Sequence, residues 1–218
     1  MHEIEGVSPL TLNRLSVYLR CLRHLQAAGV KRLSSRELAE RYLLSAHQIR
    51  KDLAQFGGFG IRGVGYEVDE LAERLTELLG LDRRYRLVIV GMGNLGSALA
   101  RYLGFNQGAF EVVAGVDRDP ERVGRAMGGW RVRHVDELPA VVAETGAEIG
   151  VLAVPAEVAQ ENYEQLVAAG VKAVLNFAPA RVKRTPEVPL KNVDLRINLE
   201  EVAFLLRARE VGGGEEGG

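Results

Sequence analysis

The hexapeptide Gly91-Met92-Gly93-Asn94-Leu95-Gly96 follows the apolar run Arg86-Leu87-Val88-Ile89-Val90 directly and leads into a helix-like stretch from Ala98 to Leu103. Each glycine has a separate physical task. Gly91 permits a tight turn, Gly93 lets phosphates lie against backbone N–H groups, and Gly96 lets the helix pack on the strand. The helix N-terminus then presents its partial positive charge to whatever sits in the turn. A second strand-like run, Glu111 to Val116, ends in Asp117, 21 residues after Gly96, where a carboxylate is placed to accept ribose hydroxyls. Strand, glycine turn, helix, strand and acid predict a dinucleotide-binding unit of the Rossmann type, with Met92, Asn94 and Leu95 filling the turn. Asp117 favours NAD over NADP, because a 2′-phosphate would face a carboxylate, although Arg118 beside it softens that exclusion. The same pattern fits a domain that has lost its ligand or takes another adenine nucleotide.

The alternation of strand and helix continues with Ile149 to Val154, a helix from about Ala156 to Ala169, and Lys172 to Phe177. Ligands of such sheets bind at the carboxyl ends of the strands. Val154-Pro155 and Asn176-Phe177-Ala178-Pro179 are therefore candidates to flank a nicotinamide ring, and are equally compatible with plain turns. A last strand is expected from Val193 to Ile197. It leads to an amphipathic helix from about Leu199 to Arg209, with Val202, Ala203, Leu205 and Leu206 on its apolar side.

What precedes the glycine motif has a different character. From Leu10 to Tyr66 there are ten Lys or Arg against three acids, a balance of +7 inside a chain whose net charge is only −1. A basic third joined to an acidic remainder is what a chain needs when only its first part meets a polyanion. Ser8-Pro9 signals a helix start, with Leu12, Leu15, Leu19 and Leu22 at helical spacing and Gly29 as the stop. Ser34 with Glu37 reads as a capping box for a short helix to about Tyr42, and Ser45 with Gln48 as a second box for a third helix. On that third helix Ala46, Ile49, Leu53 and Phe56 face inward, while His47, Arg50, Lys51 and Gln55 face outward. Two short capped helices joined by a three-residue turn describe a helix-turn-helix with a basic recognition helix. The segment Gly57 to Tyr66 interleaves five glycines with Phe59, Arg62 and Tyr66, and predicts a tight hairpin, a wing. An Arg at such a tip suits the narrow minor groove of A·T-rich DNA. A glycine linker between domains is the other reading. Asp69 is expected to cap a connecting helix from Glu70 to Leu79.

Several function classes lack their signatures. The single cysteine, Cys21, excludes an intrachain disulfide and suits a reducing cytoplasm. No apolar run approaches the roughly 20 residues of a membrane span, and no membrane association is expected. His2, His24, His47 and His134 do not cluster with acids or Cys21 at ligand spacing, so no metal is expected. No GxSxG or Walker sequence is present and no Tyr has a Lys four residues on, so no catalytic constellation emerges and the chain reads as a sensor instead of an enzyme.

Three stretches together carry a resemblance. Ser45 through Tyr66 (SAHQIRKDLAQFGGFGIRGVGY), the fingerprint Gly91 to Gly96, and Leu175-Asn176-Phe177-Ala178-Pro179 resemble the Rex family of bacterial redox-sensing transcriptional repressors, over a span from about Leu10 to Arg207. The resemblance implies a homodimer that binds an A·T-rich inverted-repeat operator and controls respiration and fermentation genes. NADH would release it, while the NAD⁺-bound or free form would be compatible with DNA. It implies a DNA-contacting set of Ser45, His47, Gln48, Arg50, Lys51, Phe59, Arg62 and Gly63, with Arg62 and Gly63 in the minor groove. It also implies a C-terminal helix exchanged between subunits, and a trio, Arg14, Tyr102 and Asp194, that trades partners when the nicotinamide changes charge. Leu195 stands where some relatives carry an aromatic side chain in the nicotinamide pocket.

The expected organisation is a winged helix-turn-helix over 1–80, a Rossmann unit over 81–198, a swapped helix over 199–211 and a disordered tail over 212–218. A small NAD-dependent oxidoreductase with an N-terminal helical arm is the alternative, and a CoA- or nucleotide-binding accessory subunit is a third.

Overall fold

Ser8 accepts the Thr11 amide on its side chain and Pro9 occupies the first turn, so helix α1 (Pro9–Ala27) begins at the residues that predict it. The computed structural model describes residues 7–60, 64–106 and 108–212. The chain divides into two units, Met1–Arg83 and Arg84–Gly218.

In the first unit α1 is followed by strand β1 (Arg32–Leu33), helices α2 (Ser35–Tyr42) and α3 (Ala46–Ala54), strand β2 (Tyr66–Glu67) and helix α4 (Val68–Leu78). Leu15, Leu19 and Leu22 of α1, Leu38 of α2, Ile49 and Leu53 of α3, and Val68, Leu71 and Leu75 of α4 make one buried core. This is the arrangement of a helix-turn-helix with a short antiparallel ladder, β1 on β2.

Three local expectations change. The box at Ser34 and Glu37 is complete, but at α3 only Ser45 contributes, because the Gln48 side chain turns to Asp52 instead of back to the cap. Asp69 lies inside the first turn of α4, its carboxylate held by Gln26 and Lys31, and buried Val68 starts the helix earlier. The ladder that β2 forms is with β1, not with a neighbouring strand of the glycine segment. Gly65 at φ +97° passes so close to β1 that a Cβ there would lie 2.5 Å from the Leu33 carbonyl oxygen, and a Cβ on Gly60 would overlap the Gly65 carbonyl. Gly60 and Gly65 thus lie side by side, while Arg62 and Gly63, expected in the wing, lie outside the described residues, as does the tail from 213 onward.

The second unit contains strands β3 (Tyr85–Val90), β4 (Phe110–Asp117), β5 (Ala126–Met127), β6 (Trp130–Arg131), β7 (Arg133–His134), β8 (Ile149–Leu152), β9 (Ala173–Asn176) and β10 (Leu190–Asn192). Helices α5 (Asn94–Arg101), α6 (Leu138–Thr145), α7 (Ala159–Ala168) and α8 (Leu195–Gly212) complete it. Six strands form a parallel sheet in the order β10-β9-β8-β3-β4-β7. From β3 the chain goes one way to β4 and β7, then returns to β8 on the other side, which makes the carboxyl ends of β3 and β8 the switch point where ligands of open sheets bind.

The hairpin β5–β6 lies between β4 and β7 in sequence and forms a sheet of its own, and neither it nor β7 is legible in so short and polar a stretch. Trp130 of the hairpin covers Gly115 of β4 and donates its indole N–H to the Val112 carbonyl. At the C-terminus the expected strand from 193 to 197 is absent. The last sheet pairing is made by β10 on β9, and α8 starts at Leu195 instead of Leu199. Val193, Leu195 and Ile197 alternate as a strand would. The Asp194 carboxylate, however, accepts the Arg196 amide and its carbonyl accepts Asn198 Nδ2, which caps a helix.

The sheet and α5 meet at Gly96, where a Cβ would overlap the Gly91 carbonyl oxygen and lie 3.4 Å from Ile89. Gly96→Ala should therefore destabilise the second unit by at least about 2 kcal/mol, read from urea unfolding, since overpacking against backbone has no side chain to yield. An unchanged midpoint would show that the corner is loose.

Candidate functional site

At the carboxyl ends of β3, β4 and β8 the second unit opens a cleft of about 1020 Å³. That lies at the upper end of the roughly 300–1,000 Å³ of small-ligand sites, with room for an extended ligand. Gly91, Gly93 and Leu95 form its floor at the start of α5, Asp117 and Arg118 its edge at the end of β4, and Val154 and Pro155 its edge after β8. At Gly91 (φ +93°) a Cβ would sit 2.5 Å from the Ala153 carbonyl oxygen, so only glycine lets the turn lie against the loop after β8. At Gly93 the nearest atom to a Cβ would be Arg122 Nη1 at 3.7 Å, leaving the backbone open to the cleft.

Asp117 is only 5% exposed. Its Oδ2 accepts the Met92 amide at 2.6 Å and Arg122 Nη1 at 3.2 Å, and its Oδ1 accepts the Asp119 amide at 2.9 Å. Burial opposes the charge, but those amide donors and the Arg122 guanidinium outweigh it and hold the carboxyl below the ordinary aspartate value. Among the described residues, three of the roughly four acceptor positions of this carboxylate are used, two on Oδ2 and one on Oδ1. The acid thus stays ionised at neutral pH, with capacity for one further donor.

Other predicted residues support the cleft from beneath without lining it. Met92 is buried and acts through its amide on Asp117, and Gly96 acts through packing. Asn176, 1% exposed, donates from Nδ2 to the carbonyls of Ala178 and Ala180 and to Asn192 Oδ1, and accepts the Ala178 amide. It therefore holds the turn that brings Phe177 and Pro179 to the cleft while Ala178 stays buried. Asn94 opens α5 on the exposed side. The residues that sequence reasoning missed include Asp119, Pro120 and Arg122 after β4, His134 to Asp136 at the end of β7 and just beyond it, and Val158, Glu161, Asn162 and Gln165 before and along α7. Only the proximity of Arg122 to Asp117 in sequence could have signalled any of them.

In the first unit His47, Arg50 and Lys51 lie exposed along α3, and Arg50 donates to Ser35 Oγ at 2.9 Å. Ser45 caps the helix, whereas Gln48 is drawn inward. Phe59 is half-buried against the core with the Arg74 guanidinium 5.6 Å from its ring centre.

The polar centre of this unit is Asp52, which is fully buried. Arg14 of α1 binds it with two hydrogen bonds (Nε–Oδ2 2.6 Å, Nη2–Oδ1 2.8 Å), Tyr18 donates its hydroxyl at 2.9 Å and Gln48 its amide at 2.7 Å. Burial opposes the charge of Asp52 and the hydrogen bonds from Arg14, Gln48 and Tyr18 overcome it, so its carboxyl lies below the ordinary value. Burial and the adjacent carboxylate push the Tyr18 phenol up. Tyr102 and Asp194 belong to the second unit. Tyr102 is exposed at the end of α5 with its ring edge-on to Phe105, Asp194 caps α8, and Leu195 is exposed on its first turn.

Comparison with known proteins agrees with both halves. Residues 82–180 match the family described as "CoA binding domain" and residues 6–54 that described as "Putative DNA-binding protein N-terminus". The redox-sensing transcriptional repressor Rex of Carboxydothermus hydrogenoformans is 44% identical over 197 residues, 90% of this chain and 95% of that protein. The crystal structure of RSP in complex with beta-NAD+ and operator DNA superposes with a TM-score of 0.88 at 40% identity, covering 96% of this chain and 98% of that one. RSP in complex with beta-NADH gives 0.85 at 38% identity, with the same coverage. A helix-turn-helix unit ahead of a dinucleotide-type cleft defines a class, the ligand-responsive transcription regulators. Within it, this chain belongs to the Rex family of redox-sensing transcriptional repressors.

Because the Asp52 carboxyl titrates lower folded than unfolded, its stabilisation is complete above about pH 4 and is lost as pH falls through the folded value. Asp52→Ala should destabilise the first unit by about 3 kcal/mol at neutral pH, since it strands Arg14, Tyr18 and Gln48. It should also flatten the acid limb of stability below about pH 4, measured by denaturant unfolding at successively lower pH. An acid limb as steep as in the wild type would place the titrating group elsewhere.

Proposed function

We propose that this chain is a cytoplasmic repressor that binds an A·T-rich inverted-repeat operator as a homodimer and reports the NADH/NAD⁺ ratio, NADH releasing it from DNA. The observation that carries the reading is one chain holding an exposed basic helix in a helix-turn-helix and a dinucleotide-sized cleft, with 40% identity over 96% of its length to RSP, a protein crystallised with beta-NAD+ and operator DNA. The reading is of a binding protein and not a catalyst.

In this reading the pyrophosphate lies on the amides of the turn from Gly91 to Leu95, at the N-terminus of α5. One adenosine ribose hydroxyl donates to Asp117 Oδ1. Arg118 and Arg122 balance the charge of Asp117, and Val154, Pro155, Phe177 and Pro179 flank the nicotinamide. Bound cofactor supplies only a ring whose charge depends on its redox state. His47, Arg50 and Lys51 enter the major groove, Ser45 and Gln48 support them, and Phe59 supports a wing whose Arg62 and Gly63 reach the minor groove. Leu195, Leu199, Val202, Phe204, Leu205 and Leu206, all exposed on α8, are covered when two copies exchange this helix.

The switch trio acts through a bistable contact. Arg14 starts from a two-bond hold on Asp52, a buried carboxylate that Tyr18 and Gln48 also bind. NADH favours a state in which the two recognition helices of the dimer no longer stand about 34 Å apart, one turn of DNA. Coupling is reciprocal, so operator DNA weakens NADH binding by the factor by which NADH weakens DNA binding.

Fluorescence anisotropy of a labelled inverted-repeat duplex should show release by micromolar NADH and not by equal NAD⁺. DNA binding indifferent to both would defeat the redox reading, and no specific DNA binding with turnover of NADH would return the oxidoreductase. Arg50→Ala or Lys51→Ala should each reduce the slope of log K against log salt by about 1 if it meets a phosphate. Asp117→Ala should weaken NADH by about tenfold to a hundredfold in a nicotinamide-fluorescence titration, the value of a charge-assisted hydrogen bond.

A further inference from the structure

The segment that leaves β4 reads Asp117-Arg118-Asp119-Pro120-Glu121-Arg122, and all of it but Glu121 lines the cleft. The Arg122 and Val123 amides both donate to the Asp119 carbonyl, at 2.9 and 3.1 Å, so the chain makes one tight turn that carries Arg122 back over the end of β4. There its Nη1 meets Asp117 Oδ2 at 3.2 Å and its Nε faces Asp119 Oδ2 at 3.3 Å. Its Nη2 is engaged by no group among the described residues. Arg118 is exposed and has no ion pair or hydrogen bond among them either. Two guanidinium groups with uncommitted N–H donors therefore stand at the edge of the cleft where the acid after the second strand marks the adenosine ribose.

The acid itself is short of acceptor positions. Met92 and Arg122 take Oδ2 and the Asp119 amide takes Oδ1, which leaves a carboxylate of roughly four positions with room for one further donor. An adenosine ribose brings two hydroxyls, at 2′ and 3′, and Asp117 can accept one of them. The other meets donors alone.

Donors of this kind suit a group with several anionic oxygens, and a phosphate on the ribose is such a group. A carboxylate alone would repel it. Here Asp117 is only 5% exposed and has Arg122 against it, Asp119 faces the same guanidinium, and Asp136, on the adjoining wall, faces the His134 ring at 3.2 Å. Arg118 keeps its charge uncompensated and open to the cleft.

We propose that Arg118 and Arg122 form a 2′-phosphate site on the adenosine ribose, so that this cleft takes NADPH as well as NADH. The proposal rests on the dinucleotide reading of the cleft. NADH and NADPH, which differ only in that phosphate, are titrated into the full chain at fixed salt by nicotinamide fluorescence. The wild type binds NADPH within about tenfold of NADH, and a wider gap overturns the proposal. Arg118→Ser, at an exposed position outside the core, weakens NADPH at least about tenfold more than NADH, the value of a charge-assisted hydrogen bond. A smaller difference between the two losses overturns the assignment to Arg118. Displacement of bound NADH then separates a placed site from a general attraction for anions. Adenosine 2′,5′-bisphosphate displaces it at lower concentration than adenosine 3′,5′-bisphosphate, and equal potency of the two isomers counts against a 2′ site. In each of these failures NADH still binds and the dinucleotide reading stands. Binding of neither NADH nor NADPH by the wild type overturns that reading and the proposal with it.

Discussion

Gly96 stands so close to the carbonyl of Gly91 that no side-chain atom fits between them, and that contact turns the end of β3 and the start of α5 into one corner. The cleft depends on it. With the corner closed, the amide of Met92 points at Asp117 on the neighbouring strand, and the buried carboxylate gains the donors that keep it ionised. Arg122 completes the balance by reaching Asp117 at 3.2 Å and Asp119 at 3.3 Å. Burying a lone carboxylate would be strongly unfavourable. Here the backbone turn and the acid stabilise each other, which is why a glycine pattern and an acid on the next strand act as one device.

The first unit uses the same economy of means around Asp52. Its carboxylate ties Arg14 and Tyr18 of α1 to Gln48 of α3, so the angle of the recognition helix is set by charge and hydrogen-bond geometry as well as by Ile49 and Leu53 in the core. Removing one partner of such a buried group is far costlier than never having built it. A network of this kind specifies one arrangement and resists intermediate ones, which suits an element that must present a basic surface in a defined orientation.

Much of this was legible because it rests on local rules. Ser8 and Pro9 start a helix wherever they stand, Ser34 with Glu37 closes a capping box within four residues, and the glycine motif encodes its own turn. Local rules failed where a distant partner decided. Gln48 reads as the second half of a capping box but is taken by Asp52. Asp69 reads as a cap but is held by Gln26 and Lys31. Val193, Leu195 and Ile197 alternate as in a strand, yet the cap at Asp194 starts a helix and the sheet edge goes to Leu190–Asn192.

By itself, then, the sequence determined the class of each unit, the glycine turn, the acid after the second strand and the basic outer face of α3, because each follows from spacing along a few turns or one strand. The tertiary structure alone decided which residues share the cleft. His134 to Asp136, Arg122 and the polar face of α7 come from separate connections and meet only because a parallel sheet gathers the carboxyl ends of its strands on one side. Hydrogen-bond partners such as Asp52 with Arg14 are 38 residues apart and carry no periodic signal. Proximity across the fold, created by packing, is the one property a linear pattern does not contain.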